Sequence, residues 1–252
     1  MTRRRVTSDS RTGRAQSNVV GVAVLLGITV IALGALTASI GAVVQSNAAT
    51  ADADRVAAGF EEAIRPVEAT GHHRGRVAVS SGTFSTADRD LRVLNASGVV
   101  ATTTVDALVY ESGDRTVRTL SGAIIRGDDG GSRMYRPPPI TASRRAGGVL
   151  VVGAGRLNAS AGSVGGNGET ELVLRSNVTH HRRSLGNGTY RVAVETETPA
   201  AWRSYFERLN ATVVSEDRDF DGDGVGSVVA RFPGDRTAYL VVHDLRLEVA
   251  HG

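Results

Sequence analysis

The stretch VVGVAVLLGITVIALGALTASIGAVV, residues 19–44, decides the architecture, because its 26 residues include no charge. As a helix it is about 39 Å long at a rise of 1.5 Å per residue. A bilayer's hydrocarbon core is roughly 30 Å thick, so this segment is expected to cross a membrane with some tilt. Arg3, Arg4, Arg5, Arg11 and Arg14 precede it against Asp9 alone, whereas Asp52, Asp54, Glu61 and Glu62 follow it with only Arg55 among them. Basic flanks stay inside. The asymmetry therefore places residues 1–17 in the cytoplasm and residues 45–252 outside, on a single-pass protein of the cell membrane with the lipid bilayer as its first partner. The apolar run is longer than that of a secretory signal, and Ser46-Asn47-Ala48 is a poor cleavage site, so the helix is expected to be retained.

The rest of the composition agrees with this division. All 29 basic residues are Arg and the whole chain carries a formal +3, but outside the first fifteen residues 24 Arg face 25 acids. The exported part is close to neutral, which argues against a nucleic-acid partner. Without cysteine, neither disulfides nor thiolate metal sites can hold the outer domain, and its core must do so alone. Only 4% of residues are aromatic, and 30 are glycine, a balance that favours short strands and turns.

The leader ends in Arg14-Ala15, and Gln16-Ser17-Asn18-Val19-Val20-Gly21 runs straight into the helix. This junction resembles the class III signal of archaeal type IV pilins and pilin-like proteins. The resemblance implies a prepilin peptidase as partner, cutting between Ala15 and Gln16 after the charged Arg14, and other pilin helices as neighbours. Asn18 stands where many haloarchaeal pilins have Pro. Within the helix, Gly27, Gly34 and Gly41 recur every seven residues and Ala38 lies four after Gly34, a shallow stripe of the kind that lets membrane helices pack closely.

Residues 45–65 stay compatible with a helix, with Val56, Phe60 and Ile64 at four-residue steps and no proline before Pro66. The domain organisation expected is a leader over 1–15, a membrane helix and stalk over 16–65, and a β-rich domain over 71–252. Beyond Gly71, short apolar runs are divided by turn formers such as Asp128-Asp129-Gly130-Gly131, Gly165-Gly166-Asn167-Gly168 and Asn187-Gly188. Strands are predicted near 75–80, 90–95, 103–111, 115–126, 148–153, 170–176, 189–197, 226–232 and 238–249. The fold class is α+β: a long transmembrane helix followed by a mainly antiparallel, sandwich-like β domain with one short packed helix. That helix begins at Thr198-Pro199 and spaces Trp202, Tyr205 and Phe206 as a core anchor. Together with GAIIRGDDGGSRMYRPPPI (122–140), it resembles a group of haloarchaeal pilin-like surface proteins.

Several candidate sites lie in the outer part. Asn95, Asn158, Asn177, Asn187 and Asn210 each begin an Asn-x-Ser/Thr sequon, compatible with glycosylation of a surface protein. Asp217, Asp219, Asp221 and Asp223, with Gly224 next, form a DxDxDG pattern whose alternate carboxylates can converge on calcium, although Ala230 stands where a bidentate Glu belongs. No other cofactor is expected. His72-His73 and His180-His181 are adjacent pairs that point to opposite faces of a strand, and the arginines beside them suggest solvated loops. GxSxG, Walker A and dinucleotide motifs are missing, so no catalytic residue is assigned and the chain is not expected to be an enzyme. Two readings follow: a pilin-like surface protein, as minor pilin or filament subunit, or a permanently anchored exterior module that binds calcium, glycan or a partner protein.

Overall fold

A single helix, α1 (Gly13–Ile64), carries the chain from the apolar stretch to the β-rich part. The computed structural model describes residues 13–145, 147–159 and 164–251. The leader arginines Arg3, Arg4, Arg5 and Arg11 lie outside the described residues, and Arg14, Ala15 and Gln16 are described only as helical backbone. Contacts divide the chain into two compact units, Met1–Asn47 and Ala48–Gly252.

In the first unit, every Val, Leu and Ile from Val20 to Val44 is more than half exposed, with Leu25 at 66% and Ile31 at 73%. This is one helix long and apolar enough to cross a membrane, close to the N-terminus. The hydroxyls of Thr29, Thr37 and Ser39 donate to the carbonyls of Leu25, Leu33 and Ala35 at 2.7, 2.9 and 2.9 Å. Those three polar groups are thereby satisfied within the helix, as hydrocarbon requires.

The second unit begins at Ala48, ahead of the Gly71 start expected from the sequence, because the last turns of α1 belong to its core. Ala53, Val56, Ala57, Phe60, Ala63 and Ile64 are buried there. Pro66 lacks the N–H that a further helical turn needs, and a short 3-10 turn, Arg65–Glu68, follows. Helix and sheet backbones touch: a Cβ on Gly59 would lie 2.6 Å from the Arg76 carbonyl oxygen, and one on Gly75 would lie 2.8 Å from the Ala63 Cβ. Two glycines let this helix sit directly on a strand.

Fifteen strands are described. They are β1 (Gly71–Ala87), β2 (Asp90–Asn95), β3 (Gly98–Thr104), β4 (Ala107–Ser112), β5 (Arg115–Leu120), β6 (Ala123–Asp128), β7 (Gly131–Arg136) and β8 (Ile140–Ala142). After these come β9 (Val149–Arg156), β10 (Val164–Gly188), β11 (Arg191–Glu195), β12 (Thr212–Arg218), β13 (Ser227–Arg231), β14 (Arg236–Asp244) and β15 (Glu248–His251). The larger sheet has the order β7-β6-β5-β4-β1-β10-β14-β9-β8, with β15 also on β10; the smaller has β12-β13-β11-β2-β3. Every described pairing is antiparallel except β14 with β9. Leu91, Val93, Val192, Val194 and Val228 of the smaller sheet share one core with Val109, Ile125, Val152 and Leu240 of the larger. On its other face the larger sheet meets the end of α1, where Phe60 packs edge-on against Phe84 at 6.3 Å. The expected α+β sandwich with one short helix is therefore present.

The strand boundaries need correction, among them the run 238–249, which is two strands parted around Arg246 (φ 45°), and Asn187-Gly188, which is paired within β10 and is not a turn. The run 115–126 is two strands, because Ser121 (φ 53°) and Gly122 (φ 81°) form a tight two-residue turn of the left-handed kind that hairpins favour. The run 103–111 breaks at Asp106, also left-handed at φ 49°. Gly165–Gly168 is not a turn: β10 continues through it, pairing with Ser81–Thr83 of β1. The edge strands β3, β7, β8 and β12 are too polar or too short to stand out in the sequence.

Candidate functional site

The short helix α2 (Pro199–Arg208) places Pro at its start and Trp202, Tyr205 and Phe206 on one face. All three are buried, with Trp202 and Phe206 fully so. The Tyr205 hydroxyl donates to the Ile140 carbonyl at 2.5 Å, and burial pushes this phenol far above its ordinary pKa. These residues act as the expected core anchor. The Thr198 side chain, just before α2, makes no capping bond, because its hydroxyl pairs with the Thr196 hydroxyl at 3.0 Å. The Pro137–Pro139 run lies along β9, where a Cβ on Gly153 would come within 2.3 Å of the Pro139 carbonyl oxygen.

The acidic motif lies between β12 and β13. Asp219, Asp221 and Asp223 bring carboxylate oxygens within 4.8 Å of one another. Asp217 does not join them, which corrects the four-carboxylate expectation: it lies within β12 and accepts from the Ser215 hydroxyl at 3.2 Å. Asp219 shapes the loop by accepting backbone N–H bonds from Asp221 at 3.2 Å, Gly222 at 2.7 Å and Gly224 at 3.1 Å. Those bonds stabilise its charged form and hold its pKa below the ordinary carboxylate value. Ala230, at the twelfth loop position, is fully buried in β13.

Beneath the loop lies a charge cluster that the sequence reading missed. Arg92, 5% exposed, donates to Glu195 at 2.9 Å, Asp90 at 2.9 Å and Asp221 at 2.5 Å. Phe220 covers its guanidinium at 5.1 Å. Burial pulls the pKa of Arg92 down, but the bond from Glu195 and the charges of Asp90, Glu195 and Asp221 more than offset it, so the net shift is upward. Glu195 is itself 3% exposed. Register accounts for the meeting, since Ala193 of β11 pairs with Arg92 of β2 and sets both charged residues on the outer face of the smaller sheet. One signal was available: in Asp90-Leu91-Arg92-Val93-Leu94 an arginine sits between apolar residues of one strand. Asp221 thus already holds one cation, the guanidinium, with one of its oxygens.

The other candidates are dispersed. Asn158, Asn187 and Asn210 are exposed, whereas Asn95 and Asn177 are half-buried. The Asn95 side chain accepts the Ser97 N–H at 2.8 Å, and Asn158 donates to Asp244 at 3.2 Å. Along α1, Cβ atoms built on Gly27, Gly34 and Gly41 would meet nothing within 4 Å. The histidine pairs are in strands rather than loops, His72-His73 in β1 and His180-His181 in β10. Alternation does send neighbours to opposite faces, but His180 meets a third histidine, His243 of β14.

Over residues 14–248 the sequence matches DUF7289, a family of unknown function. The chain belongs to this family. DUF7289 takes in the whole apolar stretch and the β-rich unit as far as the start of β15. No curated protein and no solved structure matches the chain.

Proposed function

We propose that this DUF7289 protein is a membrane-anchored, pilin-like cell-surface protein, a minor pilin or filament subunit without catalytic activity, released from its leader between Ala15 and Gln16. The order of features along the chain carries the reading: an Arg-rich leader, a small-residue junction, an uncharged helix at the new N-terminus and a β-rich unit after it. The family match supports it, because it starts at Arg14, next to the junction, and includes the helix. In this reading the N-terminus faces the cytoplasm, the β-rich unit is exterior, and the glycine stripe meets other pilin helices. The exposed sequons at Asn158, Asn187 and Asn210 are available for glycosylation.

Mass spectrometry of the N-terminal peptide from purified membranes tests the proposal. A chain beginning at Gln16 is expected; an intact leader refutes processing and leaves the permanently anchored module. The convergence of Asp219, Asp221 and Asp223 favours calcium as that module's ligand. Calorimetry should then show a calcium heat that Asp219→Asn removes, and the absence of any heat at millimolar calcium ends this second reading.

A further inference from the structure

Outside the acidic loop and the membrane helix, one pair of side chains has the chemistry of a ligand set. His180 and His243 are register partners on β10 and β14 and so project from the same face of the larger sheet. Their rings cross edge-on at 82°, and the two Nδ1 atoms face each other at 2.9 Å. Pairing from Thr179 to Gly188 against Asp244 to Arg236 fixes the backbone on both sides.

The surroundings can be named element by element. Val178, two residues away on the same face of β10, and Leu245, just after β14, are buried and apolar. In the other direction, Arg182 of β10 is turned away, its guanidinium 4.5 Å over the Tyr239 ring of β14. From the 3-10 turn come a hydrogen bond between His243 and the Val67 backbone and the negative charge of Glu68, both of which favour a positive charge at His243. His243 is 7% exposed, and burial together with the neighbouring His180 lowers its pKa.

A purely structural role accounts poorly for this arrangement. Two facing Nδ1 atoms can share one proton, so the pair yields one hydrogen bond. The His180 Nε2 is buried without a hydrogen-bond partner, and a buried unpaired polar atom costs about 1–3 kcal/mol. An aliphatic pair would fill the same space without that cost. A neutral imidazole whose far nitrogen is bonded to a backbone carbonyl is, in contrast, the usual form of a histidine metal ligand. We propose that His180 and His243 are a two-imidazole site for a borderline divalent transition metal ion of the zinc, nickel or copper class. The ion takes the place of the shared proton, which moves to the His180 Nε2 so that both imidazoles stay neutral; each Nδ1 supplies one ligand, and water completes the coordination. With metal–nitrogen bonds of about 2.0–2.1 Å at a tetrahedral angle, the two nitrogens would stand about 3.3 Å apart. The rings therefore need to separate by a few tenths of an ångström, within reach of small side-chain rotations.

The test uses tag-free, full-length protein in detergent, stripped with a chelator and titrated with zinc, nickel and copper chlorides. Saturable binding of one ion per chain is expected, with copper giving an electron paramagnetic resonance spectrum that shows two coordinating nitrogens. His180→Ala and His243→Ala should each abolish binding at concentrations that saturate the native chain. His181→Ala, on the opposite face of β10, should leave it intact. If His243→Ala fails to fold, His180→Ala decides, since its ring is less buried, and the nitrogen count in the native chain needs no variant. No saturable binding, binding that survives His180→Ala, or equal loss in His181→Ala overturns the proposal. The outcome is independent of where the N-terminus is cut.

Discussion

The two ends of α1 share one helical backbone and opposite surroundings. Between Val20 and Val44 every large apolar side chain is exposed, whereas from Ala53 to Ile64 the apolar face is buried against the larger sheet. A helix apolar on all sides needs an apolar solvent, while a helix with one apolar face needs only a docking surface. The single element thus contains two separate stability problems. Charge marks the change: from Val19 to Ala51 there is none, and Asp52, fully buried, is bonded to Arg55 at 2.5 Å.

Substitutions at matched positions should separate the two ends. The largest effect is expected for Phe60→Ala, which removes a fully buried ring and should cost the β-rich unit about 3–5 kcal/mol in denaturant unfolding. Ile31→Ala should shift the same curve by less than about 0.5 kcal/mol. Ile31→Arg reverses the pattern: insertion into membranes should become about 3–4 kcal/mol less favourable, measured as the membrane-bound fraction, while the unfolding midpoint of the β-rich unit stays put. If Ile31→Arg unfolds the β-rich unit, the two problems are not separate.

Next comes the glycine pair. Gly59→Ala forces a methyl group onto the Arg76 carbonyl and should destabilise by about 1–3 kcal/mol, despite alanine's better helix propensity. Gly34→Ala meets open space and should leave unfolding unchanged. The smallest effect is in pH. Glu197 is held below its ordinary pKa first by the hydrogen bond from Arg118, with burial opposing and Arg89 assisting. A depressed folded-state pKa gives stability that is present above the ordinary carboxylate value of 4.5 and is lost as the pH falls below it. With 46% of the side chain exposed, solvent screening keeps the contribution small. The melting temperature of Glu197→Gln should therefore lie slightly below that of the native chain at neutral pH, and the gap should close under acid conditions.

What was legible in the sequence was local. The uncharged run, the Asp128–Gly131 turn and the spacing of Trp202, Tyr205 and Phe206 each depend on residues a few positions apart, where periodicity and turn chemistry operate. What was missed depends on register between distant strands. Arg92 meets Glu195, and His180 meets His243, only because β2 pairs with β11 and β10 with β14. The same limit explains the long strand: Gly165 to Gly168 reads as a turn until β1 supplies a partner. The acidic motif was half legible, since the alternation of aspartates is visible in sequence but the strand that withdraws Asp217 is not.

Trp202 is the chain's one tryptophan, and none of its surface reaches solvent. Nature has therefore installed a fluorophore that reports on the sandwich alone. Its emission should be blue-shifted in the native state and move to longer wavelength when the two sheets part, with no contribution from the apolar helix. The integrity of the β-rich unit of the purified chain can thus be followed optically, without a label.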